Sequence, residues 1–182
     1  VQVGMGRTGK LWGFENLGIE PDIFTSAKGL GGGIPIGALL CKASCAVFEP
    51  GDHASTFGGN PFACRVGLTV CETVEAENLL DNVKLRGEQL RFGLQRLVQQ
   101  YPDLLEQVRG WGLINGLVLQ ANATIKSVDI VKAAMDEGLL LVPAGPQVVR
   151  FVPPLNVSAD EVQQALMGVE KALAAVVKQH HG

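Results

Sequence analysis

No run of roughly 18 or more consecutive apolar residues occurs in the sequence, and its first residues lack the charged-then-apolar pattern of a secretion signal. Neither a membrane span nor export is expected, and the location indicated is the cytoplasm or an organelle lumen. A basic surplus is lacking too: 15 Lys and Arg stand against 18 Asp and Glu, a formal net charge of -3. Without a lysine or arginine run, the chain has little with which to neutralise nucleic-acid phosphates or an anionic bilayer. Small molecules are the expected partners. Cys41, Cys45, Cys64 and Cys71 lack the paired short spacings of a zinc site, so no metal centre is expected; they read as buried or inert thiols in a reducing compartment. Internal repeats and low-complexity segments are absent. What is present is 47% hydrophobic content over 182 residues, enough for an ordinary buried core.

From Val1 to about residue 75, short apolar runs alternate with glycine-rich turns. Val1 to Val3, Ile23 to Ala27 and Ile36 to Cys41 read as strands buried in the interior of a helix-covered sheet. Asn60-Pro61 reads as a helix start, asparagine capping free amides and proline occupying the first helical position, with the helix reaching about Val74. Leucine-rich periodicity then marks a helix from Asn78 to Gln100, with Leu79, Leu80, Val83, Leu90, Leu94 and Leu97 on one face. Beyond it the pattern predicts a strand over 112–119, a helix over 127–137 capped by Ser127, strands over 139–142 and 148–152, and a closing helix over 158–180. The composition shift near residue 76 suggests two domains, 1–75 and 76–182, the second a connector helix followed by a small α+β unit.

Gly4-Met5-Gly6-Arg7-Thr8-Gly9 matches a dinucleotide fingerprint and, with Lys10, nearly matches a P-loop. Neither survives its own requirements. Leu11 cannot hold magnesium where the P-loop needs a hydroxyl, and the segment from Lys10 to Gly18 is too short and too glycine-bearing for the helix that a dinucleotide site requires. Lys28 carries more information, because it closes the apolar run 23–27 and precedes Gly29, Gly31, Gly32 and Gly33. An ordinary lysine at neutral pH is about one part in a thousand free amine, or less, so chemistry at a lysine needs a special setting. Glycines supply part of one, since a planar ligand can approach a backbone without side chains. The alternative is a solvated lysine at a turn.

Ser55-Thr56-Phe57-Gly58-Gly59-Asn60-Pro61 places two hydroxyls and flexible amides just before a helix N-terminus, which suits either a bound anion or an ordinary capped turn. Arg150 stands between Val149 and Phe151 in an apolar strand, where it must pair with an internal acid or present its fork to a carboxylate. His53 has no identifiable catalytic or metal partner.

Three stretches together resemble the class III aminotransferases: Gly6-Arg7-Thr8-Gly9; Pro21-Asp22 through Ala27-Lys28-Gly29-Leu30-Gly31-Gly32-Gly33 to Ala38; and Ser55 to Pro61. The likeness continues through Arg109-Gly110-Trp111-Gly112 and Arg150-Phe151-Val152-Pro153-Pro154. It implies an α/β, fold-type-I transferase that uses pyridoxal 5'-phosphate, with residues 1–75 completing a seven-stranded sheet of the large domain and 76–182 forming the small C-terminal domain. It also implies that Lys28 forms the Schiff base with the cofactor, takes the substrate's α-proton and returns it to the cofactor. By the same resemblance Gln2 approaches the cofactor's phenolic oxygen, Thr56 reaches the phosphate in the neighbouring subunit of a homodimer, and Arg150 grips the α-carboxylate of amino-acid and 2-oxo-acid substrates. The implied donor is N-acetylornithine, as in arginine biosynthesis, with ornithine and 4-aminobutyrate as alternatives. The family's pyridinium-pairing aspartate belongs two residues before Val1, so the chain is expected to be the C-terminal half of a longer enzyme and inactive alone. A non-catalytic folding or dimerisation fragment is the competing expectation.

Overall fold

The computed structural model describes residues 1–181. Two compact units make up the chain, Val1–Asp81 and a second beginning at Asn82. The division falls inside a helix, a few residues beyond the composition shift near residue 76.

In the first unit the run Val1 to Val3 forms no strand, because no partner strand lies beside it among the described residues. Residues 4–9 follow as successive turns, and then comes a 3-10 turn, Gly13–Leu17. The glycine run therefore has neither the strand before it nor the helix after it that a nucleotide fingerprint requires. Strand β1 (Ile23–Ala27) pairs antiparallel with β2 (Gly37–Cys41), in register from Ile23 opposite Cys41 to Ala27 opposite Gly37. Among the described residues these strands pair only with each other, so the expectation of buried strands is corrected for this chain: Ile23, Leu39 and Leu40 are exposed. A two-stranded ribbon has too few neighbours to cover its own faces. Helix α1 (Pro61–Ala76) starts as expected, with the Asn60 side chain accepting from the Ala63 amide at 2.9 Å and Pro61 in the first turn. Cys41, Cys64 and Cys71 are exposed, which corrects the expectation of buried thiols; the last two sit on the outer side of α1.

The main hydrophobic core belongs to the second unit. Helix α2 (Leu79–Gln100) buries Val83, Leu90, Leu94 and Leu97, the face its periodicity marked. Four antiparallel strands follow in spatial order β3-β4-β6-β5: β3 (Leu105–Trp111), β4 (Ile114–Leu119), β5 (Val142–Pro143) and β6 (Val148–Phe151). Strand β3 was not legible in the sequence, because Glu106, Gln107, Arg109 and Gly110 hide its β character and its pairing with β4 supplies it. Helices α3 (Ser127–Asp136) and α4 (Ala159–His181) pack together, and Ile130, Val131, Val162, Val169 and Leu173 join Leu117, Leu119, Val149 and Phe151 in the core.

Ser127 does not cap α3. Lys126 takes that position and donates its amide to Asp129, while the buried Ser127 hydroxyl donates to the Gly145 carbonyl at 2.7 Å and ties the helix to the loop before β6. At α4 the expected start is present as a reciprocal cap: Glu161 accepts from the Ser158 amide and hydroxyl at 2.7 and 2.8 Å, which holds its carboxyl below the usual carboxylate range.

One helical glycine is set by packing. A Cβ on Gly87 of α2 would stand 2.5 Å from the Gly112 carbonyl oxygen, in the turn joining β3 to β4. Alanine would gain about 1 kcal/mol of helix propensity but would overpack backbone that cannot yield, a cost of about 1–3 kcal/mol. Gly87→Ala is expected to lower the melting temperature by several degrees; an unchanged or raised midpoint would show that the hairpin turn can move aside.

Candidate active site

Lys28 is positioned by the end of β1. The strand's last residue, Ala27, is extended, and the chain then enters a 3-10 turn, Lys28–Gly31. Lys28 itself adopts a left-handed backbone with φ 51°. A side-chain-bearing residue pays about 1–2 kcal/mol for that conformation, and such strain persists where the surroundings impose it. Here they do. A Cβ on Gly31 would press 2.8 Å from the Ile36 side chain, and one on Gly67 of α1 would lie 3.4 Å from the Leu30 carbonyl, so the turn is held between α1 and Ile36, the residue just before β2. The Lys28 side chain is exposed within the unit, and among the described residues no ion pair engages it. Beyond it Gly33, at φ 113°, has open space where a side chain would stand. Gly29, Gly31 and Gly32 are instead packed against Met5, Ile36 and Val70, so the open space lies at Gly33.

Gln2 is exposed on the segment leading to the buried Met5. Met5 Cβ lies 3.4 Å from where a Cβ on Gly29 would stand, so the chain just after Gln2 packs against the lysine turn. Thr56 lies in the loop entering α1. Its neighbour Ser55 is used locally, accepting the Gly58 amide at 3.0 Å, and Asn60 donates to the Phe57 carbonyl at 2.9 Å while capping the helix. The Thr56 hydroxyl is exposed and takes part in none of these bonds. The turn is thus capped by Ser55 and Asn60, and the Thr56 hydroxyl lies outside those bonds. His53 stacks edge-on to Phe48 with ring centroids 5.0 Å apart, a structural contact.

Arg150 belongs to the second unit. It lies on β6 opposite Gly116 of β4 on one side and Val142 of β5 on the other. Its Nε is buried without a hydrogen-bond partner among the described residues, and no acid pairs with its fork there. Buried polar atoms in native proteins are nearly always partnered, and among the described residues the Arg150 Nε is not. A largely apolar pocket of about 330 Å³ opens beside it, lined in part by Leu140, Val142, Phe151, Pro153 and Glu161. The internal-acid account of Arg150 has no candidate within this pairing pattern. Asn115 was not singled out from the sequence: it is buried on β4, donating to the Gly112 carbonyl at 2.8 Å, with its side-chain oxygen unpartnered. No sequence signal separates it from an ordinary strand asparagine.

Comparison with known proteins identifies the family. The family model described as aminotransferase class-III matches residues 1–173. The acetylornithine aminotransferase of Thermosynechococcus vestitus is 67% identical over 174 residues, covering 96% of this chain and 42% of that protein. Its counterpart from a Nostoc species is 68% identical over 176 residues, covering 97% and 41%. Among solved structures, an N-acetylornithine aminotransferase from Stenotrophomonas maltophilia superposes with a TM-score of 0.86 at 36% identity, covering 98% of this chain and 46% of that one. An ornithine aminotransferase from Toxoplasma gondii superposes at 0.91 with 33% identity, covering 98% and 43%. The chain spans about two fifths of the length of the curated relatives it matches. It belongs to the class III aminotransferase family and has the mixed α/β fold of that family's corresponding segment.

Proposed function

We propose that this chain is part of a pyridoxal-phosphate-dependent acetylornithine aminotransferase, in which Lys28 is the covalent and proton-carrying amine. The names of the relatives support the donor, N-acetylornithine, with 2-oxoglutarate as acceptor. The observation that carries the lysine assignment is its backbone: an exposed lysine held at φ 51° at the end of a strand, with open space at Gly33 beyond it. Residues 1–75 serve the cofactor domain and 76–182 the connector and small domain. The enzyme works as a homodimer in the cytoplasm, and Thr56 serves the partner's cofactor. Among the described residues no helix is long and apolar enough to cross a membrane.

The residues present suit the cofactor. When bound, pyridoxal phosphate supplies the electron sink that makes an amino acid's α-proton acidic. Lys28 would hold the group covalently between turnovers and, as a free amine, would remove that proton and deliver it again. Gln2 would contribute a hydrogen bond to the cofactor, Thr56 a hydroxyl to its phosphate, and Arg150 a two-pronged grip that orients the α-carboxylate.

Two measurements test this reading. Borohydride reduction of the full-length enzyme with pyridoxal phosphate should leave the cofactor's mass on the peptide containing Lys28; labelling at another lysine sinks the assignment. Thr56→Val should weaken cofactor retention more than it slows chemistry. A hydrogen bond to a charged group contributes about 1.5–3 kcal/mol, so the pyridoxal-phosphate dissociation constant should rise about tenfold or more. An unchanged constant would mean the loop is only a capped turn.

A further inference from the structure

Arg150 is not the only arginine on its face of the small sheet. Directly paired residues in antiparallel strands point to the same side. Arg109 of β3 pairs with Gly116 of β4, and Gly116 pairs with Arg150 of β6, so one row across the sheet reads Arg109, Gly116, Arg150. Two strand spacings, about 10 Å of backbone, separate the arginines. The residue between them has no side chain, and two neighbours share the space over it: Val148 Cγ1 of β6 lies 2.9 Å from where a Cβ on Gly116 would stand, and Arg109 Cγ and Nε lie 3.6 and 3.8 Å from it. The Arg109 side chain therefore lies over β4, on the face it shares with Arg150. Among the described residues neither arginine has an ion pair, and the Arg150 Nε is buried without a partner. Like charges facing each other on one sheet face repel, and such an arrangement is stable when an anion sits between them.

We propose that Arg109 is a second cation of the carboxylate site, reaching over Gly116 to the same substrate carboxylate that Arg150 grips. This rests on the reading of Arg150 as the carboxylate residue. Arg150 supplies the two-pronged hydrogen bonds and Arg109, exposed and more loosely placed, supplies charge. The ligand class is therefore a carboxylate at the reacting end of the substrate, and a donor amine without a carboxylate gains nothing from Arg109.

The test uses the full-length holoenzyme with three variants, Arg109→Gln, Arg109→Lys and Arg150→Lys, assayed with 2-oxoglutarate and with two donors, N-acetylornithine and 1-phenylethylamine, which lacks a carboxylate. Arg109→Gln is expected to raise the KM for 2-oxoglutarate and for N-acetylornithine about fivefold or more, with kcat falling less than KM rises and the KM for the simple amine unmoved. Arg109→Lys, which keeps the charge, should return both KM values to within about twofold of wild type. The wild-type KM values should also climb with ionic strength more steeply than those of Arg109→Gln. If Arg109→Gln lowers the melting temperature while every KM holds, Arg109 pairs with a structural acid and the inference is overturned. If Arg109→Gln does not fold, the wild-type enzyme and Arg109→Lys carry the test: raised KM values for the carboxylate substrates alone in Arg109→Lys overturn the charge-only role, and wild-type KM values for the carboxylate substrates that climb with ionic strength no more than that for the simple amine overturn the inference. Should Arg150→Lys leave KM unchanged, the Arg150 reading fails; should Arg150→Lys move KM while Arg109→Gln does not, only the Arg109 inference fails.

Discussion

Lys28→Ala in the full-length enzyme is expected to abolish turnover while leaving the fold intact. A methyl group can neither hold the cofactor covalently nor carry a proton, and positioned acid-base groups alone contribute about 10²–10⁴ in rate. Alanine is the informative substitution because it keeps a Cβ. The left-handed backbone at residue 28 is as costly for alanine as for lysine, so the change alters chemistry without relieving strain. The side chain is exposed within its unit, so truncation opens no cavity there. Steady-state rates beside a melting curve check the outcome, and added primary amines should restore a small part of the activity by carrying the proton from solution. Retention of more than a tenth of wild-type turnover would remove Lys28 from its role.

Arg150→Lys should raise the Michaelis constants for 2-oxoglutarate and for the amino donor about tenfold or more. Lysine keeps the charge but loses the planar fork that meets both carboxylate oxygens, and an unfulfilled charged hydrogen bond costs about 1.5–3 kcal/mol. Both half-reactions should suffer, since both proposed substrates carry an α-carboxylate. The buried, unpartnered Nε and the absence of an acid opposite the fork among the described residues favour this over a structural pairing. The structural account makes a different demand, a lowered melting temperature with near-normal Michaelis constants. Kinetics and melting curves on the same preparation separate the two.

Helix α2 and the start of α1 were legible because they are local events: a leucine stripe at helical spacing, and a proline beside a capping asparagine. Lys28, Thr56 and Arg150 stood out as residue types in unusual settings, a lysine before glycines, a hydroxyl in a glycine loop and an arginine in an apolar strand. The misreadings have non-local causes. Ser127 has the chemistry of a cap, yet its hydroxyl reaches the Gly145 carbonyl, a partner 18 residues away. Polar β3 is a strand because β4 lies beside it. The apolar β1 and β2 read as buried, but burial requires neighbours that their own sequence does not supply.

The sequence by itself determined the helices and the family and singled out the lysine and the arginine as candidates, since short-range propensity and residue chemistry are carried by neighbouring positions. Tertiary structure alone decided what surrounds those residues. The strained backbone of Lys28, the stranded Nε of Arg150 and the placement of Arg109 across Gly116 all arise from strand pairing and close packing between residues far apart in the chain. A backbone dihedral, an orphaned nitrogen and a shared sheet face are properties of an arrangement in space, and no single stretch of sequence contains them.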